Sequence, residues 1–202
     1  HISVLYEKLG FEKRVVRRKE GALEVEYNNK ADGEDSEGFL SSQVKRQLAP
    51  VLERLEREII LEFCMDDTAI SHEVEGFGRE MEDLSPKIKC DFRKKKSETE
   101  KDGMEYPAIR ICDGKGKYLG TSFHGVPGGH EFNSFVIALY NAAGPGQSIA
   151  PETLAKIHSL RDGHRIQAVV SLSCTMCPEL VMAVQRIALE SEGITADIYD
   201  IA

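Results

Sequence analysis

The chain has 202 residues, a formal net charge of −8 and a globular balance of 41% hydrophobic to 30% charged residues, which suits one ordinary domain or two small ones with a real core. No apolar run reaches the roughly 20 residues of a membrane span, no signal-peptide pattern occurs, and the acidic balance argues against nucleic acid as a partner. Five cysteines in a chain of this length are too few, and odd in number, for a secreted disulfide scaffold, so the expected compartment is the reducing cytoplasm.

Residues 1–40 differ from the rest and are expected to be an extension or linker from an upstream unit. They offer one or two short strands with Val15, Val16, Leu23 and Val25 as apolar points, then a polar, acidic stretch, KADGEDSEG. The basic clusters Lys13–Lys19 and Arg93–Lys96 each adjoin acidic residues and read as solvated faces.

The main body opens with a helix over 41–57. Val44, Leu48, Val51, Leu52 and Leu55 recur at helical spacing, Ser41 or Ser42 can cap it, and Pro50 should bend or break it at the preceding turn. IILEFC (59–64) reads as a buried strand. A helix capped by Asp67 or Thr68 follows, with Ile70, Val74, Phe77, Met81 and Leu84 on one face. KIKCDF (87–92) alternates as a strand, and KKKSETEKDGME is an exposed loop. PAIRIC (107–112) and YLGTSF are strands joined by the turn DGKGK, which makes them antiparallel neighbours. EFNSFVIALYNAA (131–143) is an apolar helix ending at Gly144.

A second cycle then begins. A helix over 150–160 has Pro151 in its first turn. RIQAVVSLS (165–173) is a strand, and PELVMAVQRIALES (178–191) is a helix with Leu180, Val184, Ile187 and Ala188 turned inward. TADIYDI (195–201) is a strand. The fold class is therefore α/β, with mixed sheets flanked by helices. The repeated order divides the body at 41–148 and 149–202, the second part lacking the closing hairpin and helix of the first.

Cys64, Cys90 and Cys112 stand alone on apolar, strand-like runs, where cysteine behaves as a small hydrophobe. Cys174 and Cys177 are different, because they sit three apart where a strand hands over to a helix. The start of a helix presents unpaired N–H groups and a partial positive charge, which lower a thiol's pKa. On this reading Cys174 sits at the cap as the exposed nucleophile. Cys177, one turn inward and more buried, closes the disulfide, and Pro178 starts the helix at no cost in N–H donors. Three readings remain open on the residues alone: a redox dithiol, half of a metal site, or two neighbouring core cysteines. His124, His130, His158 and His164 do not pair at ligand spacing. GGHEF (128–132) places His130 and Glu131 at a helix start, where Glu131 suits a cap. At the matching junction of the first repeat, FCMDDTA carries acidic residues where thiols would be, so that repeat is expected to be redox-inactive.

FCMDDTA, YPAIRI, FHGVPGGHEFNSFVIALYNAAG and VVSLSCTMCPELVMAVQRIAL together resemble the tandem thioredoxin-like amino-terminal domain of the flavoprotein component of bacterial alkyl hydroperoxide reductase and its thioredoxin reductase-like relatives. The resemblance runs from about Ser42 to Ile201. It implies two thioredoxin-like units, an inactive one at 41–148 and a partial one at 149–202 that carries the dithiol. It also implies a protein-disulfide oxidoreductase module that relays electrons from a flavin-linked disulfide reductase to a peroxiredoxin or other protein disulfide. Carried over, Cys174 attacks, Cys177 resolves, and Glu131 lies near the dithiol with His130 and Pro178 in support. No Gly-x-Gly-x-x-Gly fingerprint occurs, so no cofactor is expected in this segment, and FAD and NAD(P)H are expected on a separate module. The alternatives are a non-catalytic docking scaffold or a metal-binding module.

Overall fold

The computed structural model describes residues 38–95 and 105–201, together with the backbone of two short strands, β1 (Glu12–Val15) and β2 (Val25–Asn28), which pair antiparallel. The acidic stretch expected as a linker and most of the loop after residue 95 lie outside the described residues.

Helix α1 (Ser42–Leu52) begins where Ser41 accepts a hydrogen bond from the Val44 N–H. Of the bend or break expected from sequence at Pro50, the break does not occur. The helix runs past the proline to Leu52, because the missing proline N–H removes one bond only and Glu53 still donates to the Ala49 carbonyl at 2.9 Å. It also stops short of residue 57. Shorter turns, Arg54 to Val51 and Leu55 to Leu52, carry the chain on and leave Leu55 buried outside the helix.

Strand β3 (Ile59–Met65), helix α2 (Ala69–Glu82) and strand β4 (Ile88–Lys94) form a parallel pair with its crossover helix. Strands β5 (Ala108–Asp113) and β6 (Tyr118–His124) follow as an antiparallel hairpin, with β5 on the free side of β3. In the turn, Asp113 accepts from the Lys115 and Lys117 N–H groups, both at 2.9 Å, and Gly116 takes a φ of 86° that favours glycine. Helix α3 (Glu131–Ala143) closes this part. Helix α4 (Pro151–His158), strand β7 (His164–Val170), helix α5 (Cys177–Leu189) and strand β8 (Ile194–Asp200) complete the order. All the longer strands join one mixed six-stranded sheet, β4-β3-β5-β6-β8-β7. The two halves meet through parallel pairing of β6 with β8, from Thr121 against Ala196 to His124 against Tyr199.

The apolar positions gather in two clusters. The larger holds Leu61 and Phe63 of β3, Val74, Phe77 and Met81 of α2, and Phe135 and Leu139 of α3. The smaller holds Phe123, Ala168, Val170, Val181, Val184, Ala188, Ala196 and Ile198, and α3 lies against α5 between them.

Two residues expected to face inward do not. Ile70 is 48% exposed. Its neighbour Ser71 is buried instead, drawn in by bonds to the Asp66 carboxylate (2.6 Å) and the Asp66 N–H (3.0 Å). Leu180 is 55% exposed. The buried stripe of α5 runs through Val181, Val184, Gln185 and Ala188, and Leu180 stands about 100° of helix rotation away from Val181.

Candidate dithiol site

Strand β7 ends at Val170, short of the end of its apolar run, and the dithiol follows on a short loop. The loop tightens where the Cys174 N–H donates to the Ser171 carbonyl at 2.9 Å. Cys174 and Cys177 are joined in a disulfide, with Cα atoms 5.5 Å apart. Cys174 is not the helix cap. That position belongs to Met176, which offers no side-chain cap, and α5 starts at Cys177 with Pro178 buried beside it. The sulfur does what a cap side chain does elsewhere, since the Cys177 N–H, the first of the helix, points at Cys174 Sγ from 3.2 Å. That donor and the partial positive charge behind it are in place for a Cys174 thiolate. Both cysteines are half-buried. Cys177 also packs on the smaller apolar cluster with Leu172, so it is the inner of the two by its contacts, while Thr175 and Met176 between them are exposed.

The segment before α3 is fastened to the same loop. The His130 N–H donates to the Leu172 carbonyl at 3.0 Å. Gly129, at a φ of 52°, passes so close that a Cβ there would run into that carbonyl. His130 holds the N-cap position of α3 without a side-chain cap bond. Glu131 is not turned outward as a cap either. It is fully buried, and its Oε2 accepts from Ser134 Oγ one turn along. Its Oε1 has no partner among the described residues. Burial pushes the carboxyl above its usual range, and the Ser134 hydroxyl pulls it partly back. The structure thus brings GGHEF to within two residues of Cys174 through a backbone hydrogen bond. Ser134 is not among the residues singled out from sequence, although its three-residue spacing from Glu131 on one helix is a readable signal.

The matching junction of the first half carries no thiol. Asp66 accepts from the Thr68 N–H (3.2 Å), Thr68 Oγ1 (2.6 Å) and Ser71 Oγ (2.6 Å). Burial alone would raise its carboxyl, but these bonds outweigh it and hold the group low. Thr68 caps α2. The three single cysteines are free. Burial, with Glu62 adding to it, pushes Cys64 up to about 12 and Cys112 to about 11; burial and then Glu82 push Cys90 to about 12. None of them is a thiolate near neutrality.

A polar network spans both halves of the sheet, and no local sequence pattern points to it. Arg165 of β7 donates through Nε to Asp197 Oδ2 (2.5 Å), through Nη1 to Glu105 Oε1 (3.1 Å) and through Nη2 to the Tyr199 hydroxyl (2.7 Å). Asp197 also accepts from Ser122 Oγ. His124 stacks on Tyr199 with ring centroids 4.3 Å apart, and its Nδ1 donates to the Pro107 carbonyl at 3.1 Å. The Tyr106–Pro107 bond is cis.

No family model matches the chain. It is 31% identical over 151 residues to the F subunit of alkyl hydroperoxide reductase (AhpF) of Xanthomonas campestris pv. phaseoli, covering 75% of this chain and 27% of that protein. The chain therefore spans under a third of the length of the curated relatives it matches. The crystal structure of the NTD_N/C domain of Enterococcus faecalis AhpF superposes with a TM-score of 0.74 at 32% identity, covering 80% of each chain. A protein disulfide oxidoreductase of Aeropyrum pernix shares the fold at a TM-score of 0.65 and 18% identity, over 79% of this chain and 74% of that one. A disulfide-forming pair at a strand–helix junction, in a fold and sequence shared with those domains, leaves one assignment: the chain belongs to the thioredoxin-like amino-terminal domain family of the alkyl hydroperoxide reductase AhpF.

Proposed function

We propose that this chain relays electrons from a flavin-linked disulfide reductase to the disulfide of a peroxiredoxin or similar protein, with Cys174 as the attacking thiol. The observation that carries the proposal is the helix N–H of Cys177 directed at Cys174 Sγ within a disulfide-forming pair. The Cys174 thiolate attacks one sulfur of the partner disulfide. A mixed disulfide forms, and the partner's other sulfur leaves with the electron pair and takes up a proton. Cys177 then gives its proton to the Glu131 carboxylate and attacks Cys174 Sγ. The bond to the partner breaks, and the second partner thiolate departs and is protonated. The pair is oxidised by two electrons and the partner disulfide is reduced by two, with Glu131 taking the proton of Cys177 and passing one to the departing thiolate. Pro178 fixes the first turn of α5, and His130 ties α3 to the dithiol loop.

The donor's flavin and nicotinamide groups are assigned to a separate module, and the reaction to the reducing cytoplasm. Residues 41–148 serve as a redox-inactive unit, 149–202 as part of a second unit with the dithiol, and 1–40 as an extension or linker. The test uses pre-reduced protein and a peroxiredoxin disulfide. Cys174→Ser is expected to abolish reduction, and Cys177→Ser to accumulate a covalent adduct visible by mass under non-reducing conditions. An adduct with Cys174→Ser instead would reverse the roles, and no adduct with either would end the proposal.

A further inference from the structure

We infer that Ser134 is a positioning residue for Glu131, holding its carboxyl so that it accepts and returns a proton without any heavy atom moving. This rests on the reading of Glu131 as the proton-transfer group. Ser134 is fully buried on α3, three residues after Glu131 and on the same face. A hydroxyl has one hydrogen to donate and lone pairs to accept with. Ser134 Oγ lies 2.8 Å from the Glu131 main-chain carbonyl and also within hydrogen-bond reach of Glu131 Oε2. One hydrogen cannot serve both acceptors at once, so the hydroxyl has two settings.

When Glu131 is ionised, the Ser134 hydrogen turns to Oε2. When Glu131 is protonated on Oε2, that O–H donates to Ser134 Oγ, and the serine hydrogen turns to the main-chain carbonyl. Each charge state of the carboxyl finds a partner by rotation of one hydroxyl. Oε1, buried and without a partner among the described residues, remains open for exchange. Burial and the Ser134 bond act on the Glu131 carboxyl with no charged side chain contributing. The titratable groups at the start of α3 and on the loop it is tied to are His130, at the N-cap, and Cys174, with Cys177 opening α5. Strands β3 and β5 contribute apolar side chains, Leu61, Phe63, Ile109 and Ile111, to the core that α3 faces.

The experiment follows decay of the mixed disulfide between pre-reduced protein and a disulfide-bonded peptide across pH. It compares wild type, Ser134→Ala, Ser134→Thr and Glu131→Gln. Ser134→Ala is expected to slow resolution about tenfold, a fraction of what an acid–base group contributes, and to move the limb that reports Glu131 to higher pH. The shift follows because the ionised carboxylate loses its charge-assisted donor. Ser134→Thr, which keeps the hydroxyl, is expected to restore the wild-type limb. If Glu131→Gln slows resolution and Ser134→Ala leaves rate and profile unchanged, the inference falls and the role of Glu131 stands. A slower Ser134→Ala with an unmoved limb marks a packing loss and also overturns it. If Glu131→Gln has no effect, the role of Glu131 falls first and takes the inference with it.

Discussion

At Glu131 the proposed chemistry comes with a cost in stability. Its carboxyl is fully buried and is pushed above the ordinary range by loss of hydration, with Ser134 only partly compensating. The folded protein therefore holds this proton to higher pH than the unfolded chain, where a glutamate ionises near about 4.3. Stability then falls as pH rises from that value through the folded one, and it stays reduced above both. Glu131→Gln cannot lose a proton. The variant is expected to unfold at higher urea than wild type at pH 7–8, with the gap closing below about pH 4, when urea midpoints are compared across pH. A variant both more stable and slower would identify a side chain retained for chemistry. Cys174 has the simpler setting, with the first backbone N–H of α5 directed at its sulfur.

At the scale of elements, the start of α3 depends on Gly129. A residue with a Cβ must adopt a φ of 52° and also displace the Leu172 carbonyl that the His130 N–H is bound to. Gly129→Ala is expected to cost about 1–3 kcal/mol in urea unfolding and to speed amide exchange of residues 171–177 more than that of β3. Equal exchange rates in the variant and wild type would show that the loop does not lean on α3. The elements themselves are largely legible in the sequence. The bounds of α3, Glu131 to Ala143, follow from its apolar residues and the glycine after it, which leave little choice. Orientation is less legible where polar residues compete for the inside. Ser71 displaces Ile70 through hydrogen bonds to Asp66. Gln185 takes an inward position on α5 that a hydropathy pattern assigns to an apolar side chain. The tight loop that separates β7 from the dithiol is hidden for a similar reason, since Leu172 packs on the core without belonging to a strand.

Across the whole molecule, the pairing of β6 with β8 joins segments far apart in the chain, Ser122 beside Asp197 being 75 residues apart, which no local pattern encodes. The polar network over that seam is equally invisible in sequence. Asp197 is unremarkable until Arg165, Ser122 and His124 are folded around it. Burial alone would raise its carboxyl, but the hydrogen bonds of His124, Ser122 and Arg165 and the Arg165 charge hold it well below the usual carboxylate range. The sign is opposite to that of Glu131. This contribution is complete above the unfolded value near about 3.9 and is lost as pH falls through the folded one. Asp197→Asn is expected to lower stability by about 2 kcal/mol at pH 7, less than for a fully buried pair because Arg165 is half exposed. The difference from wild type should shrink below about pH 4 in urea titrations, and a difference independent of pH would assign the loss to packing. The seam also changes how the half without the dithiol is understood. By the proposed mechanism, the half with the dithiol handles electrons and the other supplies the group that moves the proton, because α3 opens against the cysteine loop. On that mechanism the half without the dithiol is a working half, and it cannot be discarded without taking the other's chemistry with it.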